Sequence, residues 1–266
     1  MSQTLSVLFI GDIFGKPGRQ ALKQYLPLQR QQQRYDAVIA NCENAAGGNG
    51  MTLELYKEFK QLGIDALTSG NHIWDKKEFL AQVDQCPDLL RPANYSSLQP
   101  GRGWMTITLV GGQKIALINL AGRVFMGPAN DPFATVDQIL EEIQQTHSFQ
   151  RIPVIVDLHA ETSSEKTCMA WHLDGRVSAL LGTHTHVQTA DERIFPQGLG
   201  FITDVGMCGP RDGVIGVDAQ QALYGMRSGM KQKFEPAAGA LQFNACYIEI
   251  DAETGHCSSI QRIKLQ

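Results

Sequence analysis

Residues able to hold metal recur in one kind of place in this chain, just past short apolar, β-branched runs. Asp12 follows Val7–Ile10, Glu43 and Asn44 follow Ala37–Ala40, and Asn71 and His72 follow Ala66–Thr68. Further on, His159 follows Val154–Leu158, and His184 and His186 follow Ala179–Gly182. Each alone has a plainer explanation, because an Asp after a strand is ordinarily a turn or cap residue and a lone His a satisfied one. Gly182-Thr183-His184-Thr185-His186 says more, since positions i and i+2 of an extended segment point the same way and can address the same ions. Leaving His72 aside, the set offers two carboxylates, two amide oxygens, three imidazoles and no thiolate. Mg or Ca prefers an oxygen-only shell, whereas imidazole mixed with carboxylate suits Mn, Fe or Zn. That many donors is too many for one ion and suits two sharing a bridging carboxylate. Two divalent ions against two carboxylates leave a surplus of about two positive charges, available to a hydroxide and a phosphodiester. The charge balance therefore favours phosphate ester chemistry over peptide hydrolysis.

Such a site needs strands whose C-terminal ends share an edge. Strand-like runs alternate with helical segments, which predicts a mixed α/β core with those ends brought together. Pro17 suits a first helical turn, Thr52 caps Leu53–Leu62, and Asp131-Pro132 opens Phe133–Gln144. Pro27 predicts a break or kink in the helix that follows Pro17. Val110-Gly111-Gly112-Gln113 reads as a hairpin turn, and Glu253-Thr254-Gly255 turns the C-terminal run Leu241–Ile250 back into Ser258–Leu265, so the sheets are not purely parallel. No repeat or linker interrupts the 266 residues, which predicts a single domain over 1–266. With 43% hydrophobic and 19% charged residues, disordered and fibrous classes are excluded. A net charge of −4 argues against gripping nucleic acid through bulk positive charge. Cys42, Cys86, Cys168, Cys208, Cys246 and Cys257 form no C-x-x-C pair and read as reduced, mostly buried thiols. No signal-peptide pattern and no membrane-length apolar window is present, so the expected location is the cytoplasm.

Gly11-Asp12, Glu43-Asn44, Gly70-Asn71-His72, His159 and Gly182-Thr183-His184-Thr185-His186 resemble the motifs of the calcineurin-like dimetal phosphoesterases. The likeness is closer to one branch, the YmdB-like bacterial 2′,3′-cyclic nucleotide 2′-phosphodiesterases. It is carried by Gly11-Asp12-Ile13-Phe14-Gly15-Lys16-Pro17-Gly18-Arg19, Glu43-Asn44-Ala45-Ala46, Gly70 through Lys77, Arg91-Pro92-Ala93-Asn94 and Gly182 through Ala190. It runs from Leu5 to Gly216, and the C-terminal fifty residues add little. The resemblance implies a mixed α/β calcineurin-like metallophosphoesterase fold, two packed mixed β-sheets flanked by helices in an αββα sandwich. It implies that Glu43 bridges two ions, with Asp12, Asn44 and His186 completing one site and Asn71, His159 and His184 the other. The ions would be Fe or Mn, with Zn or Mg as alternatives. His72 would stand beside them, donating a proton to the leaving oxygen or stabilising the charged phosphorane-like state, while a metal-bridging hydroxide attacks phosphorus in line. Asp12-Ile13-Phe14 lacks the usual Asp-x-His histidine and Glu43 replaces the usual Asp, changes that the YmdB-like branch shares. Cys42 stands where that branch has Gly and reads as a buried neutral thiol.

Other features carry less. Gly15-Lys16 is no P-loop, because Pro17 follows and the upstream Gly is missing. Ser163-Ser164 sits in no Gly-x-Ser-x-Gly elbow. Gly47-Gly48-Asn49-Gly50 reads as a turn, and Arg123, Lys166 and Arg211 as solvated surface; His147, His172 and His256 receive no role. The expected partner is a small nucleotide substrate, with RNA ends as an alternative, no membrane, and a homo-oligomeric state as the prior. Two rival functions are a monoesterase or RNA-end phosphoesterase on the same scaffold, and a regulatory protein that binds metal without turnover.

Overall fold

The computed structural model of the protein describes residues 3–148 and 151–266. From the N-terminus come β1 (Thr4–Ile10), β2 (Asp12–Ile13), α1 (Gly15–Gln32), β3 (Ala37–Asn41), α2 (Leu53–Gln61) and β4 (Ala66–Thr68). A central stretch supplies β5 (Trp104–Thr108), β6 (Lys114–Ala121), α3 (Pro132–Thr146), β7 (Val154–His159), α4 (Ser163–Leu173) and β8 (Ala179–Thr183). The chain ends with β9 (Arg193–Ile194), β10 (Gly200–Ile202), β11 (Met207–Pro210), α5 (Ala219–Ser228), β12 (Leu241–Asp251) and β13 (Cys257–Leu265).

The strands form two mixed sheets, one ordered β2-β11-β12-β1-β3-β4 with β13 on β12, the other β5-β6-β7-β8-β10-β9. Alternation along each strand assigns side chains to layers. Val7, Phe9, Ala37 and Ile39 face Ile115, Leu117, Ile155 and Leu181 of the other sheet in one buried layer. Their neighbours Leu8, Ile10, Val38 and Ala40 pack outward against Leu22 and Leu26 of α1 and Phe59 of α2. On the far side Ile118, Val156, Leu158 and Leu180 meet Val136 and Ile139 of α3 and Met169 and Leu173 of α4. The result is the helix–sheet–sheet–helix sandwich implied by the resemblance. Phe9 is wholly buried between the sheets, and truncating such a ring costs about 3–5 kcal/mol.

Both predicted hairpins are present, β5 pairing antiparallel with β6 and β12 with β13. The caps also form: Thr52 accepts the N–H of Leu55, and Asp131 that of Phe133. The break or kink predicted at Pro27 is not a break, because α1 runs through it to Gln32. Pro27 and Lys23, whose carbonyl loses its partner, both lie on the exposed face, where water can take that carbonyl.

Parallel register aligns the strand ends that matter. Asn41 lies opposite Thr68 at the ends of β3 and β4, and His159 opposite Thr183 at the ends of β7 and β8. A hydrogen bond of 3.1 Å from Asn41 Nδ2 to Asp157 Oδ2 joins the two sheets at this edge. Among the described residues, no helix is long and apolar enough to cross a membrane.

Candidate metal centre

The apolar layer between the sheets stops short of this edge. Inward-facing positions that continue the alternation are Asn41, Asn119, Asp157 and Thr183, all fully buried. Thr183 Oγ1 donates to Asp157 Oδ1 at 2.7 Å, Asn41 Oδ1 accepts the N–H of Glu43 at 3.1 Å, and Asn119 Oδ1 accepts that of Ser69 at 3.0 Å. Leaving such buried groups unpaired costs about 1–3 kcal/mol each, so these bonds fix the loops that begin here. Burial pushes the Asp157 carboxyl up, against the pull of His159 and its hydrogen bonds.

Above this polar layer the five loops converge on Glu43. Its Oε1 lies 3.0 Å from His159 Nε2 and accepts from Asn44 Nδ2 at 3.0 Å, while its Oε2 accepts the backbone N–H of His72 at 3.0 Å. His159 Nε2 is 3.0 Å from both Asn71 Oδ1 and His184 Nδ1. On the other side of Glu43, His186 Nε2 lies 3.0 Å from Asn44 Nδ2 and 3.9 Å from Asp12 Oδ1. Asp12, Glu43, Asn44, Asn71, His159, His184 and His186 are thus brought together. The imidazole of His72 stands at the rim, its Nδ1 2.8 Å from Asp75 Oδ2.

Each histidine's outer nitrogen has an acceptor, which selects the nitrogen that faces the centre. His159 Nδ1 donates to Thr183 Oγ1 at 2.9 Å, since the Thr183 hydroxyl is already committed to Asp157. His186 Nδ1 donates to the Ile215 carbonyl at 2.8 Å. Glu161 Oε2 lies 3.0 Å from His184 Nε2, a carboxylate facing the outer nitrogen. Nε2 of His159 and of His186, and Nδ1 of His184, are left pointing inward.

The His184 and His186 backbones are strained, with φ of 105° and 66°, a conformation costing about 1–3 kcal/mol at a residue with a side chain. A buried ion pair holds them there. Asp204 Oδ2 accepts the N–H of Thr185, between the two histidines, at 3.0 Å and pairs with Lys166 Nζ at 2.9 Å. Asp204 Oδ1 accepts from Gly206 N, and the Gly206 carbonyl accepts the N–H of Asp12 at 3.0 Å. Lys166 is therefore not the solvated residue expected from sequence but fully buried. Arg123 and Arg211 are exposed, and Cys42 is buried with its thiol pushed well up by burial and by Glu43.

These side chains fit divalent cations. Asp12 Oδ1 is buried with no hydrogen-bond partner. The donor atoms of Glu43, His159 and His184 lie within 4.8 Å of one another. Burial pushes the Asp12 carboxyl up to about 7 against the pull of His186 and His159. Burial disfavours the charged form of His159 too, but Glu43, Asp12 and Asp157 outweigh it and raise the imidazole to about 9. For Glu43 burial is likewise overcome, chiefly by His159, and the carboxyl is held down at about 2. Burial and the neighbouring His159 lower His184 to about 4. Without metal, one proton on His159 offsets part of a buried negative cluster, a task that cations would take over. Gly70 completes the enclosure: a Cβ there would stand 2.2 Å from His159 Cδ2 and 2.4 Å from Glu43 Oε2. A cleft of about 820 Å³ opens over the centre, bordered by Glu43, Asn44, His72, Glu161, His184 and His186.

The reading from sequence missed Glu161, Asp157, Asp204 and the Ile215 carbonyl. Of these, Asp157 carried a legible signal, a charge at an inward position of an otherwise apolar strand. The others depend on contacts that only folding creates.

Two mixed sheets between helices, with carboxylates and imidazoles gathered at the strand ends, place the chain in the metallophosphoesterase fold class. A 5′-nucleotidase from Candida albicans shares that fold with a TM-score of 0.56 at 11% identity, over 98% of this chain and 50% of that one. Within the class the chain belongs to the YmdB-like family, whose sequence description, "YmdB-like protein", matches residues 8–263. The likeness thus extends beyond Gly216 through β12 and most of β13. The chain is 43% identical over 260 residues to the 2′,3′-cyclic-nucleotide 2′-phosphodiesterase of Bacillus subtilis, covering 97% of this chain and 96% of that protein. A crystal structure of a phosphatase from Mycoplasma pneumoniae aligns with a TM-score of 0.91 at 34% identity, over 100% of this chain and 94% of the other.

Proposed function

We propose that the chain is a metal-dependent phosphoric diester hydrolase that opens nucleoside 2′,3′-cyclic phosphates to 3′-phosphates. The observation carrying this reading is the convergence of Asp12, Glu43, Asn44, Asn71, His159, His184 and His186 under an open cleft, in a chain whose B. subtilis relative has that activity. Glu43 would bridge two ions, with Asp12, Asn44 and His186 on one side and Asn71, His159 and His184 on the other. The mixed imidazole, carboxylate and amide donors favour Fe or Mn. When bound, such a pair supplies Lewis-acid polarisation of phosphoryl oxygens and a hydroxide nucleophile at neutral pH.

The protein's own groups do the rest. Asp204, Thr183, Ile215 and Glu161 hold the histidines in the orientation that metal requires. Asp75 holds His72 by Nδ1, leaving Nε2 to deliver a proton to the departing O2′. The oxygen of water bonds to phosphorus as the P–O2′ bond breaks, O2′ takes that proton, and the intact P–O3′ bond gives the 3′-phosphate. Free nucleotides, and RNA ends of the same chemistry, are the substrates that a cytoplasmic enzyme of this kind would meet.

Protein reconstituted with Mn or Fe should convert 2′,3′-cyclic AMP to 3′-AMP, resolved from 2′-AMP by chromatography. Turnover no greater than that of Glu43→Gln would sink the reading. The M. pneumoniae phosphatase favours a second one, a phosphomonoesterase on the same scaffold. A monoester turned over faster than the cyclic diester would establish that instead.

A further inference from the structure

The cleft has two chemically different halves. Its floor is the polar cluster around Glu43, whereas its far wall comes from residues 214–234 and presents Ile215, Met226, Met230 and Phe234. These large apolar side chains stand in water, Met226 84% exposed, Met230 60% and Phe234 49%. A contiguous apolar surface of this kind marks a contact site. Local sequence builds it. Asp218 caps α5 by accepting the N–H groups of Gln220 and Gln221 at 3.0 Å, and Gly229, at φ 69°, ends the helix in the left-handed conformation and turns the chain back. The returning segment packs back over Gly225, with the Met230 carbonyl oxygen and Phe234 Cζ 3.7 and 3.8 Å from where a Cβ would stand. The wall is also tied to the centre, since Ile215 provides the carbonyl that orients His186.

We propose that this wall is a nucleobase site, with Phe234 and the methionines Met226 and Met230 packing against the face of the base; the proposal rests on the phosphodiesterase reading and extends it. A cyclic phosphate on the floor places its base one sugar ring away, toward the wall. The volume of about 820 Å³ suits a nucleotide, since ligand sites run to about 300–1,000 Å³. Thioether and aromatic groups grip a planar π face without reading its edge. The polar side chains on this part of the wall are Lys231 and Gln232, and the charge of Lys231 complements a phosphate. Recognition is therefore of a base as a class, with little discrimination among bases.

The test compares 2′,3′-cyclic AMP with glycerol 1,2-cyclic phosphate, which has the same strained diester and no base. It also measures binding of 3′-AMP and of inorganic phosphate to the metal-loaded protein by calorimetry. Phe234→Ala should lower the preference for the nucleotide by about ten- to a hundredfold, the range expected for losing one stacking partner. The loss should appear in KM in the kinetic arm and in affinity for 3′-AMP relative to phosphate in the other, and Phe234→Trp should restore both. An unchanged preference in Phe234→Ala overturns the proposal. So does a change in sedimentation behaviour with preference intact, which would make this face an interface between copies of the chain. If the wild type hydrolyses neither diester, the phosphodiesterase reading fails, and the calorimetric ratio still decides whether the wall binds a base.

Discussion

The buried pair Lys166–Asp204 anchors the peptide between His184 and His186. Lys166→Met keeps most of the side chain's volume and removes its charge, leaving Asp204 fully buried with only the Thr185 and Gly206 N–H groups as close partners. Breaking a buried pair from one side costs about 3–5 kcal/mol, and two surviving N–H donors place this case near the lower end, at about 3. In a protein of this size that is a fall in melting temperature of about 6–12 °C. Lys166→Met/Asp204→Asn leaves no unpaired charge and should be more stable than Lys166→Met by about 1 kcal/mol or more, a coupling that a double-mutant cycle in urea unfolding reads directly. Both variants should retain less metal on gel filtration, because Asp204 holds the peptide between His184 and His186 in its strained conformation. A cost below about 1 kcal/mol for Lys166→Met, or strictly additive effects, would show that the two side chains are not energetically coupled.

Three other perturbations bear on the centre. Gly70→Ala drives a methyl group into His159 and Glu43, so it should cost about 1–3 kcal/mol and reduce bound metal by elemental analysis; a fully loaded variant of unchanged stability would show that the enclosure is loose. Metal binding should release protons. His159 is protonated below about 9 and Asp12 below about 7, and both must be bare to act as ligands, so affinity should rise about tenfold per pH unit below 9 and more steeply below 7. Calorimetry at pH 7.5 in buffers of differing ionisation heat should find about one proton released per chain, and none would contradict the assignment. Glu161→Gln keeps an acceptor for His184 Nε2 but removes its charge, and should weaken metal affinity by about tenfold, at the low end for outer partners of metal-binding histidines.

What sequence could show followed from periodicity. β1, β3, β6, β7 and β8 were legible because two-residue alternation and β-branched content mark strands, and the polar residues just beyond them stood out against apolar runs. The helix does not break at Pro27 because the proline and the carbonyl it leaves free both face solvent, a position that the missing N–H alone does not reveal. Lys166 misled for the opposite reason: a lysine in a helix is ordinarily solvated, and its partner Asp204 lies 38 residues on, brought near only when α4 packs beneath β8. Glu161, two residues past His159, carried no signal, because its role depends on where His184 points. The cleft wall was invisible for a different reason. Met226, Met230 and Phe234 have the composition of core residues, and nothing in their spacing says that the fold leaves them exposed. The αββα architecture itself came from motif resemblance, since alternating strands and helices alone admit several mixed folds.

In the proposed function two metal ions gathered by Glu43 support hydrolysis of a cyclic phosphodiester. The most direct measurement follows turnover of 2′,3′-cyclic AMP as metal-free protein is loaded stepwise with Mn²⁺, with bound metal counted in the same samples. Activity should climb until about two ions are held per chain, and Glu43→Gln should neither reach that loading nor turn over substrate. Full activity at one ion per chain, or a chain loaded with two that leaves the cyclic phosphate intact, would contradict the proposed function.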